Sequence, residues 1–207
     1  MRVIRPYYVI EAVNGADLLI LEKAGRTCYK SEPKGNPESF IASKIKAHHL
    51  TIIEHGTMTV RFIVDRGFTH ELVRHRMAVY SQESTRWCNY KGGVTFIIPP
   101  WLAIEPGDNA EKSFSVPAGT PEAVWLSCMN SAETYYTTLL NMGWRPEQAR
   151  CVLPNSLKTE IVMTANFREW RLVFEQRALG LTGKPHPQML EIMVPLLAEA
   201  QEKVPVS

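Results

Sequence analysis

The chain has 207 residues, 45% apolar and 21% charged, long enough for one domain with a continuous core and balanced like a soluble globular protein. Its 23 Lys and Arg against 21 Asp and Glu leave a net charge of only +2, which argues against a bulk nucleic-acid binder, whose domain would be strongly basic. No apolar run approaches the roughly 20 residues of a membrane span. There is no signal-like N-terminus, and Cys28, Cys88, Cys128 and Cys151 are scattered without a CxxC pair, so a cytoplasmic protein with free thiols is expected.

In chain order, Arg2 to Val13 reads as a strand, and Ala16 to Cys28 as a helix carrying Leu18, Leu19, Leu21 and Ala24 at near-helical spacing. Asn36-Pro37 opens a short helix with Phe40, Ile41 and Ile45 on one face, because a proline without an N–H suits a first helical turn. Thr57 to Val64 alternates and is β-branched, so it reads as a strand, followed by a helix from Thr69 to Arg76. Glu105 to Thr120, dense in Gly, Pro, Ser and charge, reads as a surface loop. Thr120-Pro121 then starts a long helix ending near Gly143, with Ala123, Leu126, Met129, Ala132, Tyr136 and Leu139 as its buried stripe. A shorter helix, Pro146 to Val152, stops at Pro154, and Leu157 to Ala165 alternates as a strand. Asn166 with Glu169 forms a cap for a helix through Trp170 to Leu179, and the last helix runs from Pro187 to Lys203. Helices and strands follow no βαβ alternation, so the class is α+β, in a single domain over residues 1–207.

The segment ELVRHRMAVYSQESTRW carries the chemistry. Arg74, His75, Arg76, Ser84 and Arg86 place three guanidiniums, an imidazole and small hydroxyls within a short span, and guanidinium forks onto phosphate or carboxylate oxygens. Leu72, Val73, Met77, Ala78, Val79 and Tyr80 alternate with the charges, so the stretch is expected to be half buried. A nucleic-acid patch is the competing use of such a segment, and it predicts strongly salt-dependent binding. HELVRH, from His70 to His75, fails as a zinc-protease motif because its histidines are five apart and a shared helical face needs four. The adjacent His48 and His49 cannot both face one ion from a regular helix, and no metal site is expected.

RHR, seven residues, then Ser84, with Arg86 following, resembles the signature of the flavin-dependent thymidylate synthases, which methylate dUMP without a catalytic cysteine. Other segments fit the same family: His49, Thr51, Glu54 and His55 in HHLTIIEH, Arg150 in ARCVLP, Asn166 and Arg168 in NFREW, then Arg177, Gln188 and Glu191. The resemblance runs from Ala24 to Ile192. The chain departs from the family pattern at Ser81-Gln82, where Asn-Glu is common, and at Glu71, Leu172 and Cys28.

The resemblance implies a mostly antiparallel central sheet flanked by helices, of the thymidylate synthase-complementing type, and a cytoplasmic homotetramer with shared active sites. It implies FAD as cofactor, held by Thr51, Arg74, His75, Arg76, Gln82, Asn166, Phe167, Arg168 and Leu172, with NADPH and methylenetetrahydrofolate as co-substrates and His49 near the folate. It places dUMP on Glu71, Leu72, Val73, Arg74, Gln82, Glu83, Ser84, Thr85, Arg86, Arg150 and Arg177. Arg177 takes the catalytic role, stabilising charge on the uracil so that C5 can attack carbon. Cys151, the one thiol beside an arginine, reads as a small core residue. Flavin-dependent hydroxymethylation of a pyrimidine nucleotide uses the same motifs and stays open at this point. No GxGxxG is present, so neither FAD nor NADPH is expected to bind in Rossmann fashion.

Overall fold

The computed structural model describes residues 1–33, 35–108 and 116–205. The chain forms two compact units, each assembled from separated segments: Met1–Tyr7, Phe62–Leu72 and Ser81–Ile161 in the first, Tyr8–Arg61, Val73–Tyr80 and Val162–Ser207 in the second. The class is α+β, as expected. Its strands are shared between a three-stranded sheet and a four-stranded one.

The predicted first strand is two: β1 (Arg2–Ile4) and β2 (Tyr7–Asn14). The break falls at Arg5-Pro6, where Pro6 has no N–H for a ladder and Arg5 turns its guanidinium onto the carbonyls of Pro99, Leu102 and Ile104. In the first unit β1 pairs in parallel with β5 (Thr95–Ile97) and antiparallel with β6 (Gly107–Asp108). Neither β5 nor β6 was visible in the pattern. Part of the predicted surface loop is therefore a strand, while residues 109–115 lie outside the described residues. Helix α4 (Pro121–Asn141) starts as predicted, with the Thr120 hydroxyl accepting from the Ala123 N–H, and ends before Gly143 at φ 92°. Leu126, Met129, Ala132 and Tyr136 of α4 enter one core with Val3, Phe96 and Leu157.

The second unit carries α1 (Leu19–Thr27), α2 (Pro37–Lys46), a 3₁₀ turn (Leu50–His55), α6 (Phe167–Arg177) and α7 (Pro187–Lys203). Helix α1 begins three residues later than predicted, because Leu18 takes a left-handed φ of 63°. Asn36 and Asn166 cap α2 and α6 as expected, accepting from the N–H groups of Glu38 and Glu169. Gly56 has a packing reason: a Cβ there would stand 2.2 Å from the Phe167 ring, and its carbonyl accepts from the Phe167 N–H. Trp170 stacks on Phe174 and donates to the Met58 carbonyl.

The four-stranded sheet has the order β2-β3-β7-β4, with β3 (Thr57–Asp65), β4 (Ala78–Gln82) and β7 (Lys158–Asn166). The predicted helix from Thr69 to Arg76 is displaced to α3 (Arg66–Leu72). Asp65 accepts from the Phe68 N–H and so starts the helix early. Val73 to Met77 form the connection to β4, a strand hidden in the sequence by its flanking charges. The helix predicted over Pro146 to Val152 is α5 (Pro146–Ala149) followed by a 3₁₀ turn, Arg150–Val152.

Candidate functional site

In the first unit the turn after β4 is organised by Ser84. Its hydroxyl accepts from the Arg86 N–H at 3.3 Å and its carbonyl accepts from the Trp87 and Cys88 N–H groups. Thr85, which is buried, receives Arg150 Nη1 on its hydroxyl at 2.9 Å, and Arg86 stands exposed 3.9 Å from Glu147. Arg150 and Thr85 wall a cavity of about 420 Å³, together with Arg66, His70, Glu147 and Asn155. Two guanidiniums line this cavity, and its Glu147 carboxylate is engaged by Arg145 at 2.7 Å, an arrangement suited to an anion.

Two residues of the turn face elsewhere. Glu83 accepts from the Tyr90 hydroxyl at 2.5 Å and from Lys158 at 3.0 Å. Burial and the Glu83 carboxylate raise the Tyr90 pKa well above its ordinary value. Burial alone would depress the Lys158 ammonium, but its bonds to Glu83 and Glu160 hold it above the usual value. Gln82 turns inward and donates to the hydroxyls of Thr69 at 3.1 Å and Thr159 at 3.3 Å. Thr69 spends its own proton on the Arg66 carbonyl, so only lone pairs face Gln82 and a donor is required there. This explains an amide where the family often has a carboxylate.

In the second unit the signature motif meets the last predicted arginine. His75 is buried, and its Nε2 accepts from Arg177 Nε at 3.2 Å. Burial, and then the Arg177 charge, lower the His75 pKa from 6.5 to about 4, so the ring is neutral near pH 7. With Nε2 accepting, the ring proton sits on Nδ1, facing Glu169 at 3.9 Å. Tyr80 donates to the His75 carbonyl at 2.7 Å and remains protonated, its pKa raised to about 12 by burial and by Glu169. A neutral ring therefore orients Arg177 without cancelling its charge.

Two open clefts lie in the same unit. One, of about 360 Å³, is walled by Cys28, Lys44, His49, Thr51 and Arg168; the other, of about 410 Å³, by Glu54, Met77, Asn166, Arg168 and Leu172. Arg168 belongs to both and pairs with Glu54 at 2.6 Å. Arg74 and Arg76 stand exposed on the connection after α3, with no ion pair among the described residues.

A family profile described as thymidylate synthase complementing protein matches residues 9–206. The chain belongs to that family, the flavin-dependent thymidylate synthases. It is 33% identical over 169 residues to the flavin-dependent thymidylate synthase of Mycobacteroides abscessus, covering 77% of this chain and 66% of that protein. It is 33% identical over 187 residues to the one from Mycobacterium sp. strain JLS, covering 81% of this chain and 70% of the relative. Among solved structures, a UMP/dUMP methylase, PolB, from Streptomyces cacaoi bound with 5-Br UMP superposes with a TM-score of 0.78 at 20% identity, over all of this chain and 93% of that one. Thymidylate synthase X from Helicobacter pylori with FAD and dUMP gives 0.68 at 22% identity, over 94% of this chain and 90% of that one. At these identities the structural likeness shows the fold.

Within that flavin-dependent synthase fold, the predicted residues divide between the units. Glu71, Leu72, Gln82, Glu83, Ser84, Thr85, Arg86 and Arg150 lie in the first, and His49, Thr51, Val73 to Arg76, Asn166, Phe167, Arg168, Leu172 and Arg177 in the second. Several placements correct the sequence reading. Leu72 and Phe167 are buried, and the His75 side chain accepts from Arg177. Met77 and Val79 are 72% and 70% exposed, where half burial was expected: Met77 lies on the connection before β4, and Val79 is on the strand's outward face. Cys151 is exposed on the wall of the anion cavity and is no core residue, since the 3₁₀ turn rotates it off the α5 face. Sequence reasoning missed Arg66, His70 and Lys44. Arg66 had one signal, a cation just past a β-branched apolar run, separated from it by Asp65.

Proposed function

We propose that this protein carries out FAD-dependent reductive methylation of dUMP to dTMP, with methylenetetrahydrofolate as carbon donor and NADPH as reductant, and with no cysteine nucleophile. The observation that carries the reading is the clamp between His75 and Arg177, which ties the RHR signature to a guanidinium oriented by a neutral imidazole. Charge developing on a uracil ring as C5 attacks carbon is stabilised by such a preorganised cation, which makes a covalent enzyme adduct unnecessary. Ser84, Thr85, Arg86 and Arg150 hold the nucleotide phosphate, and the Ser84 hydroxyl, which accepts from the Arg86 N–H and keeps its own proton to donate, is a ligand and no nucleophile.

The residues of the second unit suit a flavin dinucleotide. Arg74 and Arg76 are exposed cations without ion pairs among the described residues, and Lys44, His49, Thr51 and Arg168 wall open clefts, as a pyrophosphate-bearing ligand requires. When bound, FAD supplies the hydride that takes a methylene carbon to a methyl; the protein positions, orients and balances charge. His49 serves the folate side. Homotetramer formation is supported by Val73, Met77 and Val79, large apolar side chains left exposed beside the arginines. Four free thiols fit a reducing, cytoplasmic setting.

The test is spectroscopic. Purified protein takes up FAD, its flavin absorbance bleaches under NADPH, and it recovers on adding dUMP and methylenetetrahydrofolate, with a nucleotide product heavier by one methylene unit. Failure to take up FAD ends the reading, and a hydroxymethyl product redirects it. Cys151→Ser should retain turnover; its loss would restore a thiol mechanism.

A further inference from the structure

Arg66, the first residue of α3, has a guanidinium atom, Nη1, that is buried without a hydrogen-bond partner. Its backbone N–H is satisfied by the Asn155 carbonyl at 2.9 Å, but its side chain has no ion pair among the described residues. The carboxylates that might have served are engaged. Asp65 accepts from the Phe68 N–H, Glu83 is held by Tyr90 and Lys158, and Glu147 by Arg145 with Arg86 nearby. An orphaned donor atom on a half-buried cation is costly and seldom left so in a folded protein, and the residue itself lines a cavity that an anion could enter.

The cavity that Arg66 walls identifies the chemistry. It is shared with Arg150, His70 and Thr85, and two guanidiniums facing one space of about 420 Å³ match a group with several anionic oxygens. A phosphate monoester offers three terminal oxygens and up to two charges, which a single carboxylate does not. We propose that Arg66 is a binding residue for the 5′-phosphate of the nucleotide, acting with Arg150 across this cavity. The assignment rests on reading the Ser84–Arg86 turn as the nucleotide site, and it adds a residue that the signature does not include.

The test uses the full-length protein and Arg66→Gln and Arg66→Lys variants, with thermal melts to confirm folding and calorimetric titration of dUMP, deoxyuridine and inorganic phosphate. Arg66→Gln should weaken dUMP binding roughly ten- to hundredfold, with Arg66→Lys in between, while deoxyuridine binding stays as in the wild type. A folded Arg66→Gln protein that binds dUMP within about twofold of the wild type, a margin of under 0.5 kcal/mol, overturns the proposal and leaves the nucleotide reading standing. Phosphate binding that depends on Arg66 without any dUMP binding keeps the anion site and removes the nucleotide reading. Wild-type protein that binds neither dUMP nor phosphate removes both. Should Arg66→Gln fail to fold, alkylation of Cys151 on the same wall gives the second readout. Phosphate or dUMP should slow it in the wild type and do so less in Arg66→Lys; equal protection in the two proteins counts against Arg66.

Discussion

The two units handle positive charge in opposite ways. In the first, Arg66 and Arg150 wall a cavity with no carboxylate committed to either among the described residues, which on the proposed reading leaves their charge for an anion that arrives already formed. In the second, Arg177 is fixed by a neutral imidazole, His75, whose pKa lies near 4. A carboxylate in the place of His75 would orient the guanidinium equally well but would cancel most of the field it projects at close range. Binding a stable dianion needs unpaired cations, whereas meeting charge that appears only during reaction needs one cation in a fixed direction. A buried histidine meets the second need because burial keeps it uncharged.

The largest effect that would break this comparison is Arg177→Ala, expected to lower turnover about 10²- to 10³-fold while FAD uptake persists, measured by steady-state kinetics and flavin absorbance. Loss of FAD uptake would place Arg177 on the cofactor. His75→Ala should lower turnover about tenfold by leaving Arg177 loose, and His75→Gln, which can still accept from Arg177, should recover part of it. The same histidine sets a pH dependence. Its folded pKa is depressed, so its contribution to stability is complete above the unfolded value of 6.5 and is lost as pH falls toward about 4, where the unfolded chain binds the proton first. His75→Gln should flatten that acid limb in melts recorded across the window.

Smaller effects sharpen the structural side. Gly56→Ala forces a Cβ to 2.2 Å from the buried Phe167 ring and should cost about 1–3 kcal/mol, read as a fall in Tm of several degrees. Gln82→Glu sets a carboxylate against the lone pairs of Thr69, and should cost about 1–2 kcal/mol even though it restores the residue common in the family. Glu11→Ala removes an exposed pair with Arg61 and should change stability by under about 1 kcal/mol.

Local patterns carried much of the architecture. Pro at the first turn with Asn or Thr before it marked α2 and α4, and Asn166 with Glu169 marked the start of α6, because caps depend on residues within one turn of each other. The charged stretch misled in one place. Arg74 to Arg76 continue a helical pattern, yet α3 stops at Leu72 and His75 dives inward to meet Arg177, 102 residues away. No local signal encodes that pairing.

By itself the sequence determined the α+β class, the family, the capped starts of α2, α4 and α6 and most of the site arginines, since these rest on residue type and near-neighbour spacing. Only the tertiary structure decided which arginines are paired and which are left with charge to give. That Gln82 must donate, that His75 stays neutral and that Arg66 has no counter-ion among the described residues all follow from burial and from partners distant in the chain. Electrostatics inside a protein depend on what has been removed from water and what stands within a few ångströms, and folding sets both.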